Sequence, residues 1–245
     1  YYVVTHDVAH RLQLFRSATL EVPRQNDRMF DDFHAGLQEK MQQALVGVSV
    51  HTVHIDDLAR MIWEKVRHRV GDRLVVSTCA EIVSTLNGGS QVLNINRLFD
   101  GAGTLVGYGP RPGCGSLVRQ LDDLASASRG RSVFLIEEGA YSGGTIRFVL
   151  QQLHERGVEV STLVLGFCTP KTRDYIKEVF DGEIIVMNEI GELVDWITDH
   201  DLIPFTPGCG RMLEEKTPEG CVCAFPYILP FGRMEEWTSL PKAIA

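Results

Sequence analysis

From residue 73 onward, apolar residues recur in two alternating rhythms. Arg73 to Ser77 (RLVVS), Gln91 to Leu98 (QVLNINRL), Ser132 to Ile136 (SVFLI), Val158 to Phe167 (VEVSTLVLGF) and Glu183 to Met187 (EIIVM) are short apolar or alternating runs rich in β-branched residues, which predicts strands. Between them the apolar positions return every three to four residues. Leu117, Val118, Leu121 and Leu124 follow Ser116, a natural helix cap; Ile146, Val149, Leu150 and Leu153 form a second set. Further helices are expected through Leu86, from Thr169 or Pro170 to Phe180, and over Glu189 to Thr198. Upstream, Asp27 can cap a helix to about Leu45, with Met29, Phe30, Phe33, Leu37 and Met41 on one face. Val48 to Val53 reads as a strand after Gly47, and Asp56 or Asp57 starts a helix to about Val70. Residues 1–27 read as a short strand and a connector.

Strands alternating with helices imply right-handed crossovers. The expected fold class is therefore α/β: a mostly parallel sheet flanked by helices, with an N-terminal helical part and an irregular C-terminal cap. The expected boundaries are 1–70 for the N-terminal part, 71–199 for the α/β core and 200–245 for the cap. The tail from about His200 is rich in proline and glycine, which forbids a long helix there, and carries Phe205, Phe225, Tyr227, Phe231 and Trp237.

Composition narrows the classes of function. A chain of 245 residues with 44% hydrophobic residues can build a sizeable core. A net charge of −8 argues against a general nucleic-acid binder. No apolar stretch approaches the roughly 18 residues of a membrane span. The first residues, YYVVTHDVAH, lack the basic start and apolar stretch of a signal peptide; they also lack Met, so the expectation is that they begin inside a longer chain. Six scattered cysteines predict a reducing cytoplasm. Cys209, Cys221 and Cys223, with His200, allow a zinc reading, but the spacing lacks paired C-x2-C knuckles, and plain thiols are the alternative.

The chemistry concentrates in SVFLIEEGAYSGGTIRFVL, Ser132 to Leu150. An apolar strand is followed by Glu137 and Glu138, then by the small-residue loop from Gly139 to Thr145, then by a helix. Gly143 and Gly144 let the backbone approach an anion closely. The helix start offers unpaired N–H groups, and Ser142 and Thr145 add hydroxyl donors, so the loop has the makings of a phosphate cradle. The two carboxylates suit sugar hydroxyls or hydrated Mg2+. No lysine follows the glycines as in a P-loop, and G-x-G-x-x-G is absent from the stretch.

The order of strand, two acids, four residues and Gly-Gly-Thr resembles the phosphoribosyl-pyrophosphate (PRPP) loop of the type I phosphoribosyltransferase family. The resemblance implies a Mg2+-dependent enzyme that transfers the phosphoribosyl group of PRPP to a nitrogenous acceptor and releases pyrophosphate. Glu137 and Glu138 would hold the ribose hydroxyls and the metal. Ala140, Tyr141, Ser142, Gly143, Gly144 and Thr145 would bind the 5′-phosphate. By place in the order, Ser77, Thr78, Cys79 and Ala80 would form the pyrophosphate loop, with Arg97 near it. Phe99 to Gly115 (FDGAGTLVGYGPRPGCG) stands where the family has a closing lid, which would carry Arg111 and contain a brief strand from Thr104 to Tyr108. The tail would be the family's variable hood, its aromatics and Trp196 stacking on the acceptor or packing a subunit interface. The family also implies a homodimer.

The departures are that both acids are Glu, where many members have Asp, and that Tyr141 stands where 6-oxopurine enzymes carry an acid. These keep open a PRPP- or nucleotide-sensing regulator without turnover, and an enzyme of a specialised pathway acting on another ribose phosphate. Elsewhere, the basic side of the second helix (Arg60, Lys65, Arg67, His68, Arg69) reads as a solvated face, and His34 as a surface or packing residue rather than a ligand.

Overall fold

The apolar run ending at Ile136 forms the middle strand of a five-stranded parallel sheet. The computed structural model describes residues 1–14, 21–85, 89–99, 105–111, 114–202, 211–216 and 222–225. In chain order the strands are β1 (Tyr2–His6), β2 (Val50–His54), β3 (Leu74–Ser77), β4 (Gln91–Val92), β5 (Ile95–Phe99), β6 (Leu105–Pro110), β7 (Val133–Ala140), β8 (Val160–Cys168), β9 (Glu183–Glu189), β10 (Asp195–Thr198), β11 (Arg211–Lys216) and β12 (Val222–Phe225). The helices are α1 (Val8–Leu14), α2 (Arg28–Ala44), α3 (Ile55–Val70), α4 (Ala80–Thr85), α5 (Leu117–Ala127), α6 (Gly144–Glu155) and α7 (Pro170–Lys177), with a 3-10 turn at Asp199–Leu202.

The large sheet runs β4-β3-β7-β8-β9, with every neighbouring pair parallel. Successive side chains of a strand face opposite ways, and β7 uses both faces. Val133 and Leu135 pack with Leu121 and Leu124 of α5 and with Ile146, Val149 and Leu153 of α6. Phe134 and Ile136 pack with Leu58, Ile62 and Val66 of α3 and with Ile82 of α4. The chain is thus an α/β protein with mostly parallel sheets flanked by helices. The caps follow from local chemistry: Asp27, Ser116 and Thr169 each accept a backbone N–H of the helix they open.

Tertiary pairing overrides the local pattern in several places. The helix expected over Glu189 to Thr198 does not form; Asp195–Thr198 is β10, drawn into strand geometry by parallel pairing with β1. β1 also pairs in parallel with β2, so two strands of the N-terminal part join β10 in a three-stranded sheet, β10-β1-β2. The single strand expected over Gln91 to Leu98 breaks in two. β4 pairs with β3, and the chain then turns so that β5 pairs with β6 and β11 in a third sheet, completed by β12. The brief strand expected in the lid segment is β6. β7 continues through the two acids to Ala140, because β8 pairs with it along that length. Val118, expected to face inward, is exposed. No helix among the described residues is long and apolar enough to cross a membrane.

Candidate functional site

A cleft of about 160 Å³ opens beyond the C-terminal ends of β3 and β7. Parallel sheets gather functional groups at that edge. Thr78 and Cys79 follow β3, Glu137 to Ala140 end β7, and Tyr141 to Gly143 connect to α6. Arg97 of β5 and Arg111, just after β6, reach the same cleft. Trp196 and its neighbours on β10 line another side.

The loop geometry has specific causes. Gly143 adopts a left-handed φ of 76° as the cap of α6, a conformation that favours glycine. Gly139 has no room for a side chain, since a Cβ there would stand 2.1 Å from the Phe167 ring. Gly144 opens α6, where a Cβ would meet the Tyr108 hydroxyl at 2.9 Å. That hydroxyl is hydrogen-bonded to Thr145, and its ring stacks on Phe148 at 4.5 Å. The Thr172 hydroxyl donates to the Tyr141 carbonyl, tying the loop to α7.

Glu137 and Glu138 are neighbours in a strand and so point into different surroundings. Glu137, partly exposed, accepts a hydrogen bond from the Thr78 hydroxyl. Enclosure at the cleft floor pushes its carboxyl up to about 7, against the pull of Thr78 and Arg111. Glu138 is buried, 4% exposed. Burial, with the charges of Asp7, Glu137 and Glu81, raises it well above the usual range, although Thr5 donates a hydrogen bond to it. One of its oxygens, Oε1, is buried with no hydrogen-bond partner. A neutral acid of this kind becomes charged when a cation or a ring of donors arrives.

Of the expected site residues, Glu137, Glu138, Ala140, Tyr141, Ser142, Gly143, Thr145, Thr78, Cys79, Arg97 and Arg111 line the one cleft. Three do not. Ser77 is buried, and its Oγ accepts the Cys79 N–H at 3.0 Å. Ala80 is the first residue of α4, and Gly144 lies behind the loop as the first residue of α6. The Cys79 thiol is turned to Glu81, 3.2 Å away. Trp196 donates through Nε1 to the Thr5 hydroxyl at 3.0 Å and sets its ring edge-to-face with Phe167. Cys209 and Cys221 lie outside the described residues, as do the tail aromatics Phe205, Tyr227, Phe231 and Trp237; nothing is described of the side chains of Cys223 and Phe225. His200 is buried against Asp7 and Arg11.

Sequence reasoning missed Asn96, Asp195 and Thr198, which also line the cleft, and Thr5 and Asp7 behind Glu138. No local signal marks them: Thr5 and Thr198 are register partners across the β1–β10 pair although 193 residues separate them.

No known family model matches the chain, and no curated protein matches it significantly. A solved structure, that of TT1426 from Thermus thermophilus, is similar over 56% of this chain and 81% of its own, at 15% identity and a TM-score of 0.34. A likeness of that size carries no argument.

Proposed function

We propose that the cleft binds a ribose phosphate and that the protein is a phosphoribosyltransferase of the type I kind, transferring the phosphoribosyl group of PRPP to a nitrogenous acceptor with release of pyrophosphate. The observation that carries this is convergence: the acidic strand end, the small-residue loop, Thr78 and two arginines, one on β5 and one just after its partner β6, line one cleft. In this reading the Tyr141–Gly143 backbone, Ser142 and Thr145 hold the 5′-phosphate at the start of α6 and so position the sugar carbon that reacts. Arg97 and Arg111 face the pyrophosphate. Glu137 and Glu138 orient the ribose hydroxyls and favour positive charge on the sugar.

Two carboxylates, one with an unpartnered oxygen, are a hard-oxygen donor set that fits Mg2+. When bound there, Mg2+ neutralises charge on the leaving pyrophosphate. β10 and Trp196 form the side of the cleft nearest an acceptor.

The second reading, a PRPP- or nucleotide-sensing regulator without turnover, rests on the departures at Glu137, Glu138 and Tyr141. The raised carboxyls of Glu137 and Glu138 couple ligand and metal binding to proton release in either reading.

Calorimetric titration with PRPP, with and without Mg2+, tests the site. Metal-dependent binding, weakened by Thr145→Ala and by Glu137→Ala/Glu138→Ala, is expected. A folded protein that binds no PRPP refutes the assignment. Pyrophosphate release with a panel of bases then separates enzyme from regulator.

A further inference from the structure

A second cluster lies apart from the cleft, and the ribose-phosphate reading does not use it. The three-stranded sheet β10-β1-β2 brings its C-terminal ends together. His6 and His54 are register partners at the ends of β1 and β2, and Thr5 pairs with Thr198, which places Asp199 beside His6. α2 lays His34 across this edge. His6 Nδ1 and His34 Nε2 stand 3.1 Å and 3.0 Å from the same oxygen, Asp199 Oδ2. The ligand atoms of His6, His34 and Asp199 all lie within 4.8 Å of one another. The His54 ring centre is 5.1 Å from that of His6 and 5.6 Å from that of His34.

Three features suggest more than a packed histidine pair. Asp199 is oriented from behind: its Oδ1 accepts the backbone N–H groups of Asp7 at 3.0 Å and Val8 at 2.8 Å, which leaves Oδ2 to the histidines. Carboxylates that bind metals are commonly held in place by hydrogen bonds of this kind. His34 is incomplete: its Nδ1 is shielded from solvent and has no hydrogen-bond partner, while its Nε2 is paired with Asp199 at 3.0 Å. Finally, a small void of about 90 Å³ adjoins the cluster, lined by His6, His34 and His54 together with Asp31 and Asp56.

We propose that His6, His34 and Asp199 bind a divalent transition metal of the zinc type, with His54 turning in as a fourth ligand. Ligand atoms about 2.0–2.1 Å from a tetrahedral zinc stand about 3.3 Å apart, close to the two spacings onto Asp199 Oδ2. The His6 and His34 rings are stacked at 3.9 Å with 17° between their planes, so binding one ion requires the rings to rotate toward it. Two imidazoles and one carboxylate suit zinc and its neighbours, whereas Mg2+ and Ca2+ prefer all-oxygen sets. The site clamps α2 to the ends of three strands and is independent of the ribose-phosphate reading.

The test uses the full chain without a histidine tag, stripped with chelator and titrated with Zn2+ against a chromophoric competitor, beside a Co2+ spectrum. One equivalent of Zn2+ bound below micromolar Kd is expected, with Co2+ d–d bands of a nitrogen and oxygen site and a Tm that rises with Zn2+. His34→Ala is expected to weaken Zn2+ at least tenfold and to abolish the Tm rise. The triple variant Cys209→Ser/Cys221→Ser/Cys223→Ser is expected to bind as the wild type does. A folded wild type without stoichiometric Zn2+, an affinity unchanged by His34→Ala, or a thiolate-to-cobalt charge-transfer band that the triple variant loses would each overturn the proposal. If His34→Ala does not fold, the Co2+ spectrum of the wild type decides.

Discussion

Replacing Glu137 by Gln removes one titrating carboxyl and leaves a side chain of nearly the same shape, which can still accept from the Thr78 hydroxyl. In the folded protein the Glu137 carboxyl is pushed from its ordinary value of 4.5 to about 7 by its enclosure. The folded state therefore holds this proton more tightly than the unfolded chain does. The stability this provides is fully present below about pH 4.5 and is lost as pH rises toward and through 7. Integrating proton binding in both states from pH 5 to pH 8 gives a loss of about 2.5 kcal/mol from this group alone. Glu137→Gln has no such loss. Urea denaturation of both proteins at pH 5 and pH 8, in metal-free buffer, isolates it, because titrations common to the two largely cancel. The variant is expected to gain about 2–3 kcal/mol relative to wild type on going from pH 5 to pH 8. Parallel stability curves, agreeing within about 0.5 kcal/mol, would refute the raised Glu137 carboxyl.

Thr78→Val removes the donor that favours the charged form of Glu137, and the same pH series is expected to place the midpoint of the stability loss above pH 7. If the cleft binds PRPP with Mg2+, affinity falls as pH drops below about 7, because Glu137 must give up its proton. Calorimetry in two buffers of different ionisation enthalpy is expected to show proton release at pH 6, and pH-independent affinity would contradict this. Gly139→Ala drives a Cβ into the Phe167 ring, itself packed edge-on to Trp196, and is expected to destabilise the protein by about 1–3 kcal/mol in urea. A loss under about 0.5 kcal/mol would mean that the ring shifts freely.

The chain's local chemistry determined a good deal by itself. Runs such as RLVVS and SVFLI became strands because β-branched residues suit a sheet covered on both faces, and helices began at Asp27, Ser116 and Thr169 because those side chains satisfy the first free N–H groups. The stretch from Glu137 to Thr145 was legible as a candidate site, because its acids, hydroxyls and glycines are contiguous. Long-range pairing decided the rest. Glu189 to Thr198 carries a pattern that suits either rhythm, and only β1, almost two hundred residues upstream, makes its end a strand. The same pairing sets Thr5 and Asp7 behind Glu138 and so makes two adjacent, identical acids different: one partly exposed beside Thr78, the other buried among carboxyls. It also gathers His6, His34 and Asp199, which come from three widely separated parts of the chain. A residue's type and near neighbours are written in the chain, whereas its desolvation and partner charges depend on which distant strand lies beside it.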